Sequence, residues 1–183
     1  YKDNLNSYNK ISINTLQINK LFSIKIYMSE ATNVKNYLKI LSSKIFPNKD
    51  ILNKIIKIKK LIISSKKNNS RILIFGNGGS AAIASHVSVD LTKIIKVKAM
   101  NFNEADLITC FANDYGYDKV FSRQIEALAL KGDVVIGIST GGTSINVIRA
   151  LKAAKIIGCI TIGFSGRGVG KFNSLCDTNL VVK

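Results

Sequence analysis

The sequence predicts an α/β fold: a mainly five-stranded parallel sheet, doubly wound in three α/β/α layers and preceded by N-terminal helices. Three observations lead there. From Arg71 onward, short apolar runs rich in branched residues alternate with helical stretches, the pattern of a parallel sheet buried on both faces. Two of those runs, 71–75 and 133–138, end in loops dense in glycine and hydroxyls, Gly76-Asn77-Gly78-Gly79-Ser80 and Ser139-Thr140-Gly141-Gly142-Thr143-Ser144, and each loop opens a helical stretch. The length of 183 residues suffices for one full α/β core and not for two.

Taken in order, residues 1–27 contain no Gly, Ala or Pro and lack the parts of a signal peptide. They are expected to be a non-native or disordered extension, with Met28 as the true start. Residues 28–68 form an N-terminal helical segment. Val34, Tyr37, Leu38, Leu41 and Ile45 keep helical spacing, and Pro47 ends that helix. Asp50 is expected to cap a second helix reaching about Ser65. Its apolar residues, Ile51, Leu52, Ile55, Ile56, Ile58, Leu61, Ile62 and Ile63, cover more than one face, which suits the sheet on one side and a second subunit on the other. Residues 69–183 form the ligand-binding domain. Strands are expected near 71–75, 98–102, 133–138, 159–164 and 178–182, and helices near 80–95, 104–112, 117–130, 144–157 and 169–175.

Composition narrows the function classes. Apolar stretches fall well short of the ~20 residues of a membrane span, so no membrane is expected as a partner. Cys110, Cys159 and Cys176 have neither paired nor metal-type spacing and read as reduced core residues of a cytoplasmic protein. The net charge of +16 would suggest nucleic acid, yet residues 1–70 carry 14 Lys against 3 acids, away from both loops, with no Arg before Arg71. Solvated lysine-rich helix faces account for this excess, and no nucleic-acid partner is expected.

The two loops carry the chemistry. A strand that ends in a loop opening a helix presents unpaired N–H groups and the positive end of the helix dipole, which attract anions. Gly78 and Gly79 let the backbone approach a ligand, and Ser80, Ser139, Thr140 and Ser144 add hydroxyl donors. Ser80 and Ser144 could equally cap the helices that follow. Gly76-x-Gly78-x-x-Ala81 also satisfies a dinucleotide fingerprint, with Glu104 as its acid, but the hydroxyl-dense second loop suits a sugar phosphate instead. No nucleotide cofactor is therefore expected. His86, the only histidine, and Asp90 stand one turn apart on the helix after the first loop, either as a surface pair or converging on one ligand or metal. The apolar stripe of that helix is expected along Ile83, Val87, Leu91 and Ile94. Asn113-Asp114-Tyr115-Gly116-Tyr117 reads as a polar turn that either caps a helix or sets Asn113 or Asp114 at a pocket rim.

Gly76-Asn77-Gly78-Gly79-Ser80, the helix with His86 and Asp90, Asn113-Asp114-Tyr115-Gly116, Phe121-Ser122-Arg123, Gly137-Ile138-Ser139-Thr140 and Asn146-Val147-Ile148-Arg149-Ala150 together resemble the phosphoheptose isomerases of the sugar isomerase (SIS) superfamily. The resemblance covers roughly residues 30–183. It implies a flavodoxin-like SIS domain that converts sedoheptulose 7-phosphate to glycero-manno-heptose 7-phosphate for lipopolysaccharide or capsule, in a homotetramer, often with zinc. By the same resemblance Ser80, Ser139, Thr140 and Ser144 hold the phosphate, and Asn77 and Asp114 contact the substrate. His86 is an active-site or metal ligand and Asp90 the catalytic base.

Three departures accompany the likeness. The family commonly has Glu at the position of Asp90, and the shorter side chain loses ~1.3 Å of reach; a shift of that order can cost ~100-fold in rate. Gly141 replaces a frequent serine. The family continues into a C-terminal helix with a second catalytic histidine and a polar ligand, whereas this sequence ends at Lys183, so a truncated chain is expected. The competing readings are a non-catalytic SIS-domain sugar-phosphate-binding adaptor or regulator, of the kind that associates with the replication initiator, and a nicotinamide-dependent oxidoreductase.

Overall fold

A computed structural model describes residues 28–43, 46–166 and 171–182. The extension expected over 1–27 and Ile45 of the first helix lie outside the described residues. The chain divides into two compact units, Tyr1–Phe46 and Pro47–Lys183. In the first unit a helix over residues 28–43 (α1) has every side chain exposed, Val34, Tyr37, Leu38 and Leu41 included.

The second unit begins with α2, Lys49–Lys67. Its N-cap is Asn48, whose side chain accepts the Ile51 N–H at 2.9 Å. Asp50 instead sits in the first turn and pairs with Lys54 at 2.8 Å. Asn48 takes the cap because its extended backbone turns the amide oxygen onto the free N–H groups, which a residue already inside the helix cannot do. Ile58 is buried and Leu61 and Ile62 pack beneath the sheet, while Leu52, Ile55, Ile56 and Ile63 remain exposed.

Five parallel strands follow: β1 Ile72–Gly76, β2 Ala99–Asn101, β3 Val134–Ile138, β4 Ile160–Ser165 and β5 Thr178–Val181, in the order β2-β1-β3-β4-β5. Each lies within two residues of its expected place. The strands feed two apolar layers, one from each face. Leu73, Phe75 and Val135 join Phe121, Ile125, Val147 and Leu151 of α5 (Val120–Leu128) and α6 (Ile145–Ile157). Ile72, Ile74, Val134 and Ile136 join Ile58 of α2 and Ala84 of α3 (Gly79–Asp90). Alternate side chains of one strand thus enter opposite layers, and this is why the runs are apolar throughout. The short α7, Lys171–Leu175, places Phe172 in the first layer.

Two helices depart from expectation. The stripe Ile83, Val87 and Ile94 points outward, at 55%, 37% and 67% exposure, while Ala84, Ser88 and Leu91 face the sheet. Small side chains let α3 lie close on the strands, so its bulky residues are left on the far side. The helix ends in a π-helical turn, Leu91–Ile95. Next, α4 runs Ala105–Tyr115 and takes in Asn113 and Asp114, with Gly116 at φ +88° ending it; Tyr117–Lys119 forms a 3₁₀ turn before α5. Cys159 and Cys176 are buried or half-buried, and burial pushes their thiols up to about 11 and about 12. Cys110 departs from the core reading: it is exposed on α4.

Before β1 and β3, the Arg71 guanidinium donates twice to Asp133 Oδ2, from Nε at 3.1 Å and Nη2 at 2.6 Å, and Asp133 also accepts the backbone N–H groups of Arg71 and Leu130 at 2.8 and 2.9 Å. Burial alone would raise the Asp133 pKa, but the hydrogen bonds and charge of Arg71 outweigh it and hold the carboxyl below its ordinary value. A folded pKa below the unfolded one stabilises the protein fully above the unfolded value of ~3.9 and less as pH falls through the folded value. Asp133→Asn is expected to destabilise the fold by about 3–5 kcal/mol near neutral pH, because it leaves Arg71 half-buried without its counter-charge. Urea unfolding should show that gap at pH 7 and a narrower one at pH 3.

Candidate active site

The strand order reverses between β1 and β3, the place where open α/β sheets form their ligand crevice. In the ladder between them the last register pair is Gly76 with Ile138, so both glycine-rich loops leave the sheet side by side. A Cβ on Gly76 would lie 2.7 Å from Ser80 Cβ and 2.9 Å from the Ile138 carbonyl oxygen. This close approach brings the loops together. Gly78, at φ +54°, turns the chain into α3, where Ala81 and Ala82 donate to its carbonyl at 3.0 and 3.1 Å.

Neither candidate serine caps a helix. Ser80 lies inside the first turn of α3, and Ser144, at the N-cap of α6, makes no capping bond. Ser144 Oγ instead accepts the Ser139 hydroxyl at 3.0 Å, and Ser139 is buried. Gly142 N–H closes the turn onto the Ser139 carbonyl at 3.0 Å, which leaves Thr140 exposed. Ser80 and Thr140, one from each loop, share the lining of a cleft of about 240 Å³ with Ile138 and Phe164. Larger grooves of about 450 and 390 Å³ run along β2 and between α5 and α6, but neither loop lines them, so chemistry rather than size locates the site.

A second link joins the loops. Asn77 Nδ2 donates to Asn146 Oδ1 at 3.0 Å, Asn146 Nδ2 donates back to Asn77 Oδ1 at 2.9 Å, and the Tyr117 hydroxyl donates to Asn77 Oδ1 at 3.1 Å. Sequence reasoning did not select Asn146 or Tyr117. For Asn146 a signal existed: a poor helix former near the start of a helix. Tyr117 gave none, since its reach depends on how α4 ends.

His86 and Asp90 stand together on α3, Nε2 to Oδ2 3.6 Å, with side chains 80% and 50% exposed. They lie outside the cleft lining. Asn113 and Asp114 bond to each other at 3.0 Å in the last turn of α4, exposed, with no bond to either loop. The structure therefore sets the loops bearing Asn77, Gly78, Gly79, Ser80, Ser139, Thr140 and Ser144 side by side, while Asn113 and Asp114 bond to neither. Zinc takes at least three protein ligands. Among the described residues no group of three His, Cys, Asp or Glu could hold a metal, so zinc at His86 and Asp90 would need further donors.

A doubly wound sheet with paired hydroxyl-rich loops at its switch point defines a class of α/β proteins, and comparison places the chain within it. The family model for the SIS domain matches residues 35–166. The phosphoheptose isomerase of Aliarcobacter butzleri (strain RM4018) is 51% identical over 132 residues, 69% of this chain and 70% of the relative. That of Campylobacter concisus (strain 13826) is 44% identical over 129 residues, 67% of this chain and 68% of the relative. The structure of a phosphoheptose isomerase from Neisseria gonorrhoeae aligns with a TM-score of 0.74 at 33% identity, covering 86% of this chain and 84% of that one. The chain belongs to the SIS domain family and, within it, to the phosphoheptose isomerases.

Gly76→Ala tests the loop contact. The Ile138 carbonyl is backbone and cannot yield, so the variant is expected to lose about 1–3 kcal/mol, read by thermal or urea unfolding, and to bind sugar phosphates more weakly.

Proposed function

We propose that this chain is a ketose–aldose isomerase that converts sedoheptulose 7-phosphate to glycero-manno-heptose 7-phosphate, supplying heptose for lipopolysaccharide or capsule. The observation that carries the reading is the meeting of two hydroxyl-bearing loops on adjacent strands, beside a helix whose next turns bear an imidazole and a carboxylate. The names of the relatives support it.

In this reading the N–H groups at the start of α3 and the hydroxyls of Ser80, Ser139, Thr140 and Ser144 hold the phosphate, so binding energy positions the other end of the sugar. Asp90 takes a proton from C1 while the C2 carbonyl oxygen is protonated, which yields the 1,2-enediol. Return of a proton to C2 and loss of one from O1 completes the aldose, with His86 exchanging protons at the oxygens. A zinc ion here would take His86 and Asp90 and need further donors from a neighbouring copy; no step above depends on one.

The exposure of His86 and Asp90 favours a homo-oligomer, and we propose the tetramer. Ile83, Val87 and Ile94 form an uncovered apolar face on the same helix. A second copy lying on it would shield the pair from water. The same exposure also suits a SIS-domain adaptor that binds the sugar phosphate without converting it, and turnover separates the two.

Asp90→Asn is expected to lower kcat by ~10²- to 10⁴-fold with little change in KM. Ser139→Ala removes the hydroxyl that would turn from Ser144 Oγ to the phosphate, a hydrogen bond to a charged group, and should raise KM about ten- to a hundredfold. Both are read by conversion of sedoheptulose 7-phosphate; binding without turnover in the unaltered chain would favour the adaptor. Ile94→Glu should shift the mass in light scattering toward monomer, and an unchanged mass would remove this face from the interface.

A further inference from the structure

The amide pair between the loops has a definite polarity, and a backbone group sets it. The Val147 N–H can only donate, and it points at the side chain of Asn146 at 3.0 Å, so the atom it meets is the amide oxygen. With that oxygen assigned, the opposing atom of Asn77 is its Nδ2, and Asn146 Nδ2 must face Asn77 Oδ1. The Tyr117 hydroxyl takes the second lone pair of that oxygen. Asn77 Oδ1 is then filled. Of the two N–H bonds on Asn77 Nδ2, one is spent on Asn146 and one is left. Asn146 is buried at 3% exposure, whereas Asn77 is half-exposed beside Gly78 and Gly79, so the remaining Asn77 N–H is the one within reach of a ligand.

We infer that Asn77 meets the sugar phosphate only as a hydrogen-bond donor, toward an oxygen of the phosphate or of the reacting carbons, and that Tyr117 and Asn146 are positioning residues that hold it in this polarity. The ligand in this statement rests on the isomerase reading; the polarity does not. A donor on a group that cannot rotate is suited to an oxygen that gains negative charge, because no reorganisation is needed when the charge forms. An amide free to turn would offer its own oxygen half the time and repel the same atom.

The test combines side-chain amide NMR on the ¹⁵N-labelled chain with binding of sedoheptulose 7-phosphate. Asn77 is assigned by the signal pair lost in Asn77→Asp. In the ligand-free protein one Asn77 N–H should exchange with water at least tenfold more slowly than its partner, and on titration the fast one should shift. Tyr117→Phe removes only a hydroxyl from a side chain that is 56% exposed, so the melting temperature should stay within about 2 °C. It should leave the slow Asn77 N–H slow, because Asn146 still holds it, and weaken binding about three- to tenfold. Asn77→Ala should weaken binding further, and the double variant Tyr117→Phe/Asn77→Ala no more than Asn77→Ala alone, because the tyrosine acts through the asparagine. A KM effect assigns the acceptor to the phosphate and a kcat effect to the reacting oxygens. Additive losses in the double variant overturn the positioning role, and two fast-exchanging Asn77 protons overturn the polarity whether or not the sugar binds. Failure of the unaltered chain to bind any sugar phosphate would sink the isomerase reading, and with it the ligand, while the exchange rates still decide the polarity.

Discussion

The parallel ladder between β1 and β3 is held at both ends, and the site depends on it. At the entrance to the two strands the buried carboxylate of Asp133 binds the guanidinium and backbone of Arg71. At the exit, the amides of Asn77 and Asn146 bond reciprocally across the gap between the loops. Between these clamps the strands run in register from Ile72 with Val134 to Gly76 with Ile138. The two ends differ in cost and in use. The charged clamp has its carboxylate buried and paired to a half-buried guanidinium, which suits a structural role. The neutral clamp leaves hydrogen-bonding capacity unused on the side where a ligand would lie.

The arrangement of α3 follows from the same closeness. A helix that starts at Gly79, immediately after a strand whose last residue cannot accept a Cβ, can lie against the sheet only through small side chains. Ala84 and Ser88 meet that need, and Ser88 also accepts a bond from Asn101 on the neighbouring strand at 3.3 Å. The helix therefore presents His86 and Asp90 among exposed apolar residues instead of sinking them into the crevice. In a single chain the hydroxyl-bearing loops and the His86–Asp90 pair are separate features, the pair lying on α3 outside the cleft that the loops line.

Much of this was legible in the residues. Strands buried on both faces must be apolar at every position, and loops that turn tightly at their ends need glycine, so both the sheet and the paired loops stand out in a linear reading. Helix faces were less legible. The stripe Ile83, Val87 and Ile94 has the spacing of a buried face, but spacing cannot tell the sheet from a partner as the surface that buries it. The cap of α2 went to Asn48 rather than Asp50 through a backbone geometry that two eligible neighbours do not distinguish in sequence. Asn113 and Asp114 have turn composition, yet α4 continues through them until Gly116.

By itself, the order of residues determined the alternation of strand and helix, the parallel sheet and the two hydroxyl-rich turns, because these answer to local periodicity and to the few residues that tolerate tight backbone. Only the tertiary structure decided that the turns emerge from neighbouring strands, that Tyr117 reaches Asn77 across 40 residues and that Asn146 closes the pair. Those are contacts between side chains distant in sequence. They depend on strand order and on where one helix stops, and no local pattern encodes either.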